Sequence, residues 1–249
     1  LGRLGRNVPY ATIDAIAALF QSRAKDAPDD QEDYAAFLAL TEPDEAELAH
    51  QRGYAPVDPL RFVVFMPGAG GRGAKKTVAS LEAQTYRHFE LTRDPVGTHG
   101  DYVIAMRAGD TLRPDALYRF ARRIEAKRET KLLYADEDCL IHGRRANPIF
   151  KPDFDEITAL SYDLFGAPVA VSKALYDACS PPGAEDAFSP GESYAFYLRC
   201  LSKCKRAEHI ERVLLTRAAP REPMGNSEGC AAIEDYLAKA DLECSVSSG

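Results

Sequence analysis

Three consecutive acids, Asp136, Glu137 and Asp138, follow the apolar run Leu132-Leu133-Tyr134. Crowding carboxylates at the mouth of a strand is costly unless a cation, a hydrogen-bond donor or water offsets their repulsion. The chemistry such a cluster offers is metal binding, proton abstraction or recognition of hydroxyl-rich ligands. A plain alternative is a solvated strand end, with Asp138 capping a turn at His142-Gly143. Other residues that bear on chemistry are Asp110, Glu192, Arg144 and Arg145, and the loop Gly68-Ala-Gly-Gly-Arg-Gly73-Ala-Lys-Lys76. Backbone amides at a helix start favour anions. The ATP-type phosphate loop, however, needs Lys directly after its last Gly, and Ala74 intervenes here, so a degenerated loop is the better reading. Arg144 and Arg145 suit a diphosphate as well as they suit a surface turn. His142 sits in a turn, and His209 opens a strand and reads as structural.

The elements that must position these residues alternate between strand and helix. Residues 61–67 and 100–106 are continuous β-rich apolar runs, typical of strands buried on both faces, and 131–135 is a third. Shorter strands are expected at 168–171 and 209–216. Helices are expected at 75–84, 115–128, 173–179, 193–205 and 231–240. Strand, Gly-rich turn and helix in succession open an α/β domain. Ahead of it, residues 10–50 read as helical, with Ile13, Ile16 and Phe20 on one stripe. A second helix covers 31–40, and a third is capped by Thr41 with Pro43 in its first turn.

Bulk properties bound the rest. The 249 residues carry a formal charge of −7, with 45% hydrophobic and 28% charged residues. That is an ordinary globular composition with no basic footprint for nucleic acid. No apolar run approaches the ~20 residues of a membrane span. Six cysteines are dispersed without a CxxC pair. Cys200 and Cys204 share a helix face, but free thiols in a reducing, cytoplasmic compartment are favoured over a zinc site. The start at Leu1 without a signal-like segment suggests a piece of a longer polypeptide.

The block Tyr134–Asp153, ending in Phe150-Lys-Pro-Asp153, resembles a segment of bacterial family-2 glycosyltransferases. So do Met66-Pro67, Ser80-Leu-Glu-Ala-Gln-Thr-Tyr86, Gly100-Asp-Tyr-Val103, Leu112-Arg-Pro-Asp-Ala-Leu-Tyr118, and His209-Ile-Glu-Arg-Val-Leu214, all in order. Their joint agreement is more specific than any one of them. The resemblance implies an α/β, GT-A-like fold, a mostly parallel sheet flanked by helices. It implies a helical N-terminal extension at 1–55, a transferase-like domain at 56–220 and a connector towards a further module at 221–249. It also implies a nucleotide-sugar donor, a glycan acceptor, a divalent cation (Mn or Mg) if active, and a place in polysaccharide biosynthesis at the inner face of the membrane.

Residue by residue, the resemblance is uneven. The family's metal motif falls on Arg107-Ala-Gly-Asp110, where Arg107 and Gly109 stand in acid positions. Only Asp110 is left to share a metal with Asp138. The strand–helix unit that recognises the base is missing after Phe89-Glu-Leu91, which leaves a reduced nucleotide-binding half. The acceptor-side base falls on Glu192-Ser-Tyr-Ala195, where Ser193 replaces the catalytic acid. Glu192, about 100° away around a helix, is the nearest substitute. Asp136, Glu137, Asp138, Pro67 and Arg144 complete the expected substrate contacts. The expectation is a degenerate transferase module, a pseudoenzyme serving as scaffold or glycan-binding platform beside an active module and needing no cofactor. The alternative is an active transferase using Asp110, Asp138 and Glu192.

Overall fold

The computed structural model describes residues 30–67, 71–179 and 189–239. The stripe expected around Ile13 and Phe20, Gly68–Gly70 and most of the 180–191 loop lie outside the described residues. The chain divides into two compact units, Leu1–Glu42 and Pro43–Gly249. In the first, helix α1 spans Asp30–Thr41, and Tyr34 stacks on Phe37 with ring centroids 6.0 Å apart. In the second, α2 spans Glu45–Arg52. The helix-start signal lies three residues later than expected: Asp44 is the cap, accepting from the Glu47 N–H at 2.8 Å. The Thr41 hydroxyl instead donates to the carbonyl of Phe37 in the preceding turn. Asp44-Glu-Ala-Glu47 is the stronger box because a carboxylate also meets the positive end of the helix.

The second unit is built on an eight-stranded sheet in the order β2-β1-β3-β7-β5-β8-β4, with β6 paired to β5. The strands are β1 (Phe62–Phe65), β2 (Phe89–Thr92), β3 (Tyr102–Ala105), β4 (Thr111–Leu112), β5 (Leu132–Ile141), β6 (Arg144–Ile149), β7 (Val169–Ser172) and β8 (Glu208–Arg217). β1 runs parallel to β2 and β3, and β5 parallel to β8, while β7 lies antiparallel between β3 and β5. Five strands (β1, β2, β3, β5 and β8) therefore point one way, and their carboxyl ends share one edge.

Alternation along the strands feeds two cores. Phe62, Val64, Ile104 and Leu133 pack under α3 (Gly71–Glu82) and α4 (Ala116–Ala126) through Leu81, Leu117 and Phe120. Val63, Phe65, Leu132 and Tyr134 face the other way. They meet α6 (Lys173–Cys179), α7 (Pro190–Cys204) and α8 (Asn226–Lys239) through Leu175, Tyr194, Tyr197 and Tyr236. A short α5 (Glu156–Ser161) contributes Ala159 to the same core. The sheet is sandwiched between helices on both faces, the α/β arrangement expected from the order of elements. Helix α7 starts three residues before the expected 193 because Ser189-Pro-Gly-Glu192 supplies an N-cap and a Pro in the first turn.

Two departures bear on function. β5 does not stop before the acids but runs ten residues to Ile141, because it is paired on both sides, by β6 and by β8. The two-residue loop His142-Gly143 then turns the chain into β6. Both residues take positive φ (51° and 80°), as a tight hairpin whose twist matches its strands requires. Between β2 and β3 the chain crosses without a helix, through the turns of Asp94–Gly100.

Candidate functional site

The acidic triplet lies inside the sheet and is almost fully enclosed: Asp136 is 4% exposed, Glu137 0% and Asp138 1%. β5 shifts register against β8 on either side of Asp136 and against β6 between Glu137 and Cys139. The extra residues lie in β8 and β6, so β5 keeps its alternation while the bulges bring different partners opposite three consecutive acids. Asp136 Oδ1 accepts from the Lys151 backbone N–H and contacts His209 Nε2, both at 2.9 Å. Asp138 pairs with Arg145 Nε at 2.6 Å. Glu137 receives the Arg217 guanidinium, with Lys151 Nζ at 3.7 Å and Arg221 at 3.8 Å.

The surroundings of Glu137 are built for a charge. Lys151 Nζ donates to the carbonyls of Ala135, Phe165 and Ala167 at 2.6, 2.8 and 2.9 Å, using all three of its protons. Burial would push the Glu137 carboxyl up, but Lys151, Arg217 and Arg221 together outweigh it and hold it below its ordinary range. Burial pulls Lys151 down to about 8, against the opposing pull of Glu137 and Asp136. Gly166, at φ +49°, closes over the carboxylate: a Cβ there would lie 2.3 Å from Glu137 Oε1. Arg221 is tied in turn to Asp163.

Asp110 sits at the carboxyl-end edge of the sheet, where α/β sheets place ligands. Its carboxylate accepts from the Ala218 N–H at 2.9 Å, directly after β8. Its carbonyl accepts from the Thr77 hydroxyl at 2.7 Å, and that hydroxyl accepts in turn from the Gly109 N–H at 2.9 Å. Gly73 at the start of α3 packs on the same turn, where a Cβ would meet the Ala108 carbonyl at 3.3 Å. Burial raises the Asp110 carboxyl, opposed by the Ala218 N–H and by Arg217 and Arg107. The Arg107–Asp110 turn is thus latched between α3 and the end of β8.

The remaining expected residues scatter. Pro67 follows β1 at the same edge and is half-buried. Arg144 is exposed beside the hairpin turn. Glu192 is exposed in the first turn of α7, where its backbone N–H is capped by Ser189. Burial would loosen the Arg217 guanidinium proton, but the charges of Glu137 and Asp110 outweigh it and hold the proton more tightly. Lys151, Arg217 and Arg221 were not foreseen as partners. Lys151 lies in the Phe-Lys-Pro-Asp segment, but nothing in a sequence marks a lysine as buried. The described cysteines are free thiols.

The GT-A resemblance implies a divalent ion between Asp110 and Asp138. The residues present do not fit one: Asp110 already accepts a backbone N–H, Asp138 is paired with Arg145, and Arg107 adds positive charge near Asp110. No helix among the described residues is long and apolar enough to cross a membrane.

No family model matches the chain. It is 29% identical over 203 residues to the uncharacterized protein y4gI of Sinorhizobium fredii, which covers 76% of this chain and 20% of that one. It is 28% identical over 159 residues to the O-antigen biosynthesis protein RfbC of Myxococcus xanthus, covering 60% and 12%. The chain spans about a fifth or less of the length of these curated relatives. Among solved structures, S. aureus TarS 1-349 in complex with UDP superposes with a TM-score of 0.54 at 14% identity, over 74% of this chain and 67% of that one. The complex of the same protein with UDP-GlcNAc gives 0.53 at 14% identity, over 74% and 68%. At that identity the likeness is one of fold, and the fold is GT-A-like.

Proposed function

We propose that this chain is a family-2-like glycosyltransferase domain of a protein that builds cell-surface polysaccharide, and that its catalytic centre has been converted into structure. It would then act as a scaffold or glycan-binding platform beside an active module of the same polypeptide, at the cytoplasmic face of the membrane. One observation carries the degenerate part of this reading. Each acid of the triplet is committed to an internal partner, namely the buried His209, the buried Arg217 with Lys151, or the partly exposed Arg145. Such an arrangement leaves no open pair of carboxylates for a cation to bridge. The kinship with O-antigen biosynthesis protein RfbC and the fold shared with TarS support the family.

A second reading keeps the activity: sugar transfer from a nucleotide-sugar to a glycan, with Glu192 as base and Pro67 and Arg144 at the substrate. It is favoured by the fold shared with TarS, which is seen in complex with UDP-GlcNAc. Calorimetric titration of the chain with UDP-GlcNAc, with and without Mn²⁺, and an assay of donor hydrolysis separate the two. The degenerate module gives no metal-dependent heat and no hydrolysis. Hydrolysis abolished by Glu192→Gln would establish the active reading instead.

A further inference from the structure

At the amino end of β8, well away from Asp110, a different cluster forms. His209 Nδ1, an Asp153 carboxylate oxygen and a Glu211 carboxylate oxygen all lie within 4.8 Å of one another. His209 is 5% exposed. Its ring is stacked on Tyr134 with centroids 4.8 Å apart, and its Nε2 faces Asp136 Oδ1 at 2.9 Å. A carboxylate only accepts, so Nε2 carries a proton, which leaves Nδ1 as the nitrogen that can offer a lone pair to a metal. That buried Nδ1 has no hydrogen-bond partner, and 3.4 Å from it stands another acceptor, Asp153 Oδ1. A proton or a metal ion between them satisfies both, and the third donor, the Glu211 carboxylate within 4.8 Å, is what suits the pair to a metal.

We propose that Asp153, His209 and Glu211 form a site for a divalent transition metal, Zn²⁺ in first place, separate from any sugar-transfer chemistry. One imidazole nitrogen and two carboxylates are a donor set suited to zinc, with room for water in a fourth position. Asp136 supplies what a metal-binding histidine ordinarily has behind it, a carboxylate on its other nitrogen that fixes tautomer and ring orientation. The loop bearing Asp153 is already held in place. The Tyr134 hydroxyl donates to the Pro152 carbonyl at 2.7 Å, and the Lys151 N–H donates to Asp136. Metal–ligand bonds of about 2.0–2.2 Å keep two donors no more than about 4.3 Å apart. Separations within 4.8 Å need at most a small adjustment to meet that limit. Asp153, with its side chain 67% exposed, has the freedom to make it. The ion would tie the segment after β6 to the start of β8, which the register sets five residues of β5, about 17 Å, from Arg217.

The test is titration of the full chain with ZnCl₂ by calorimetry, together with the Co²⁺ absorption spectrum. The expected result is one equivalent bound, a raised melting temperature, and a cobalt spectrum free of thiolate charge transfer. Asp153→Asn with Glu211→Gln, both at positions reached by solvent, should weaken binding more than 100-fold while the apo fold and its melting temperature stay close to wild type. Asp136→Asn should weaken it 10–100-fold through the ring, and Asp110→Asn should leave it unchanged. The proposal is overturned if no stoichiometric zinc binds, if the double variant binds like wild type, or if the cobalt spectrum reports cysteine ligands.

Discussion

Both ends of β8 gather acids and bases around β5, but they are completed differently. Near the carboxyl end, Arg217 meets Glu137 with Lys151 and Arg221 close by, and Lys151 spends all its protons on carbonyls. At the amino end, His209 is held from one side by Asp136 while its other nitrogen faces Asp153 without a hydrogen bond. The first cluster has its cations built in as side chains and is part of the core. The second supplies acceptors, and one of them, Asp153, is open to solvent. The comparison teaches that a run of acids is not by itself a site. What matters is whether the fold supplies the compensating charge internally.

The comparison breaks most readily at Glu137. Glu137→Gln leaves Lys151 and Arg217 buried without their counter-charge, and breaking a buried pair from one side costs about 3–5 kcal/mol. Urea denaturation should show that loss, and a cost under about 1 kcal/mol would mean the network is not what holds β5 to β8. Gly166→Ala forces a side chain into positive φ and onto the Glu137 carboxylate, for about 2 kcal/mol by the same measurement. Thr77→Val removes the hydroxyl that bridges Asp110 and Gly109, costing about 1–3 kcal/mol, and should loosen the Arg107–Asp110 turn in hydrogen exchange. The smallest effect belongs to the surface. Asp177→Asn, which breaks the i,i+4 pair with Lys173, should cost no more than about 0.5 kcal/mol.

Acidity sharpens the same contrast. The Glu137 carboxyl is depressed in the fold, so it binds its proton more tightly in the unfolded chain. Its contribution is full above the ordinary glutamate range and is lost as pH falls through the folded value. Melting temperatures measured from pH 7 downward should fall on the acid side, and Glu137→Gln should flatten that limb. An unchanged limb in the variant would assign the acid sensitivity elsewhere.

Much of the architecture was legible in residue patterns. The buried strands around Val63, Val103 and Leu133, the helix stripe of Leu117 and Phe120, and the His142-Gly143 turn are local signals, written in alternation, helical spacing and turn chemistry. The length of β5 was not legible. Acids usually end a strand, and here pairing with β6 and β8 carries the strand through them. Of the site, the identities at Arg107, Gly109 and Ser193 were readable, because they concern which residue stands where. Their partners were not.

What the sequence determined by itself was the α/β layering and the likeness to a sugar-transferring family. Only the tertiary structure decided the fate of the triplet. Glu137 and Arg217 are 80 residues apart, and Asp136 and His209 are 73 apart. Each meeting depends on the parallel register of β5 with β8 and on the bulges in β8 that bring His209 and Arg217 beside adjacent carboxylates. Pattern is local, whereas the neutralisation of a buried charge depends on whatever distant segment the sheet brings within a few ångströms.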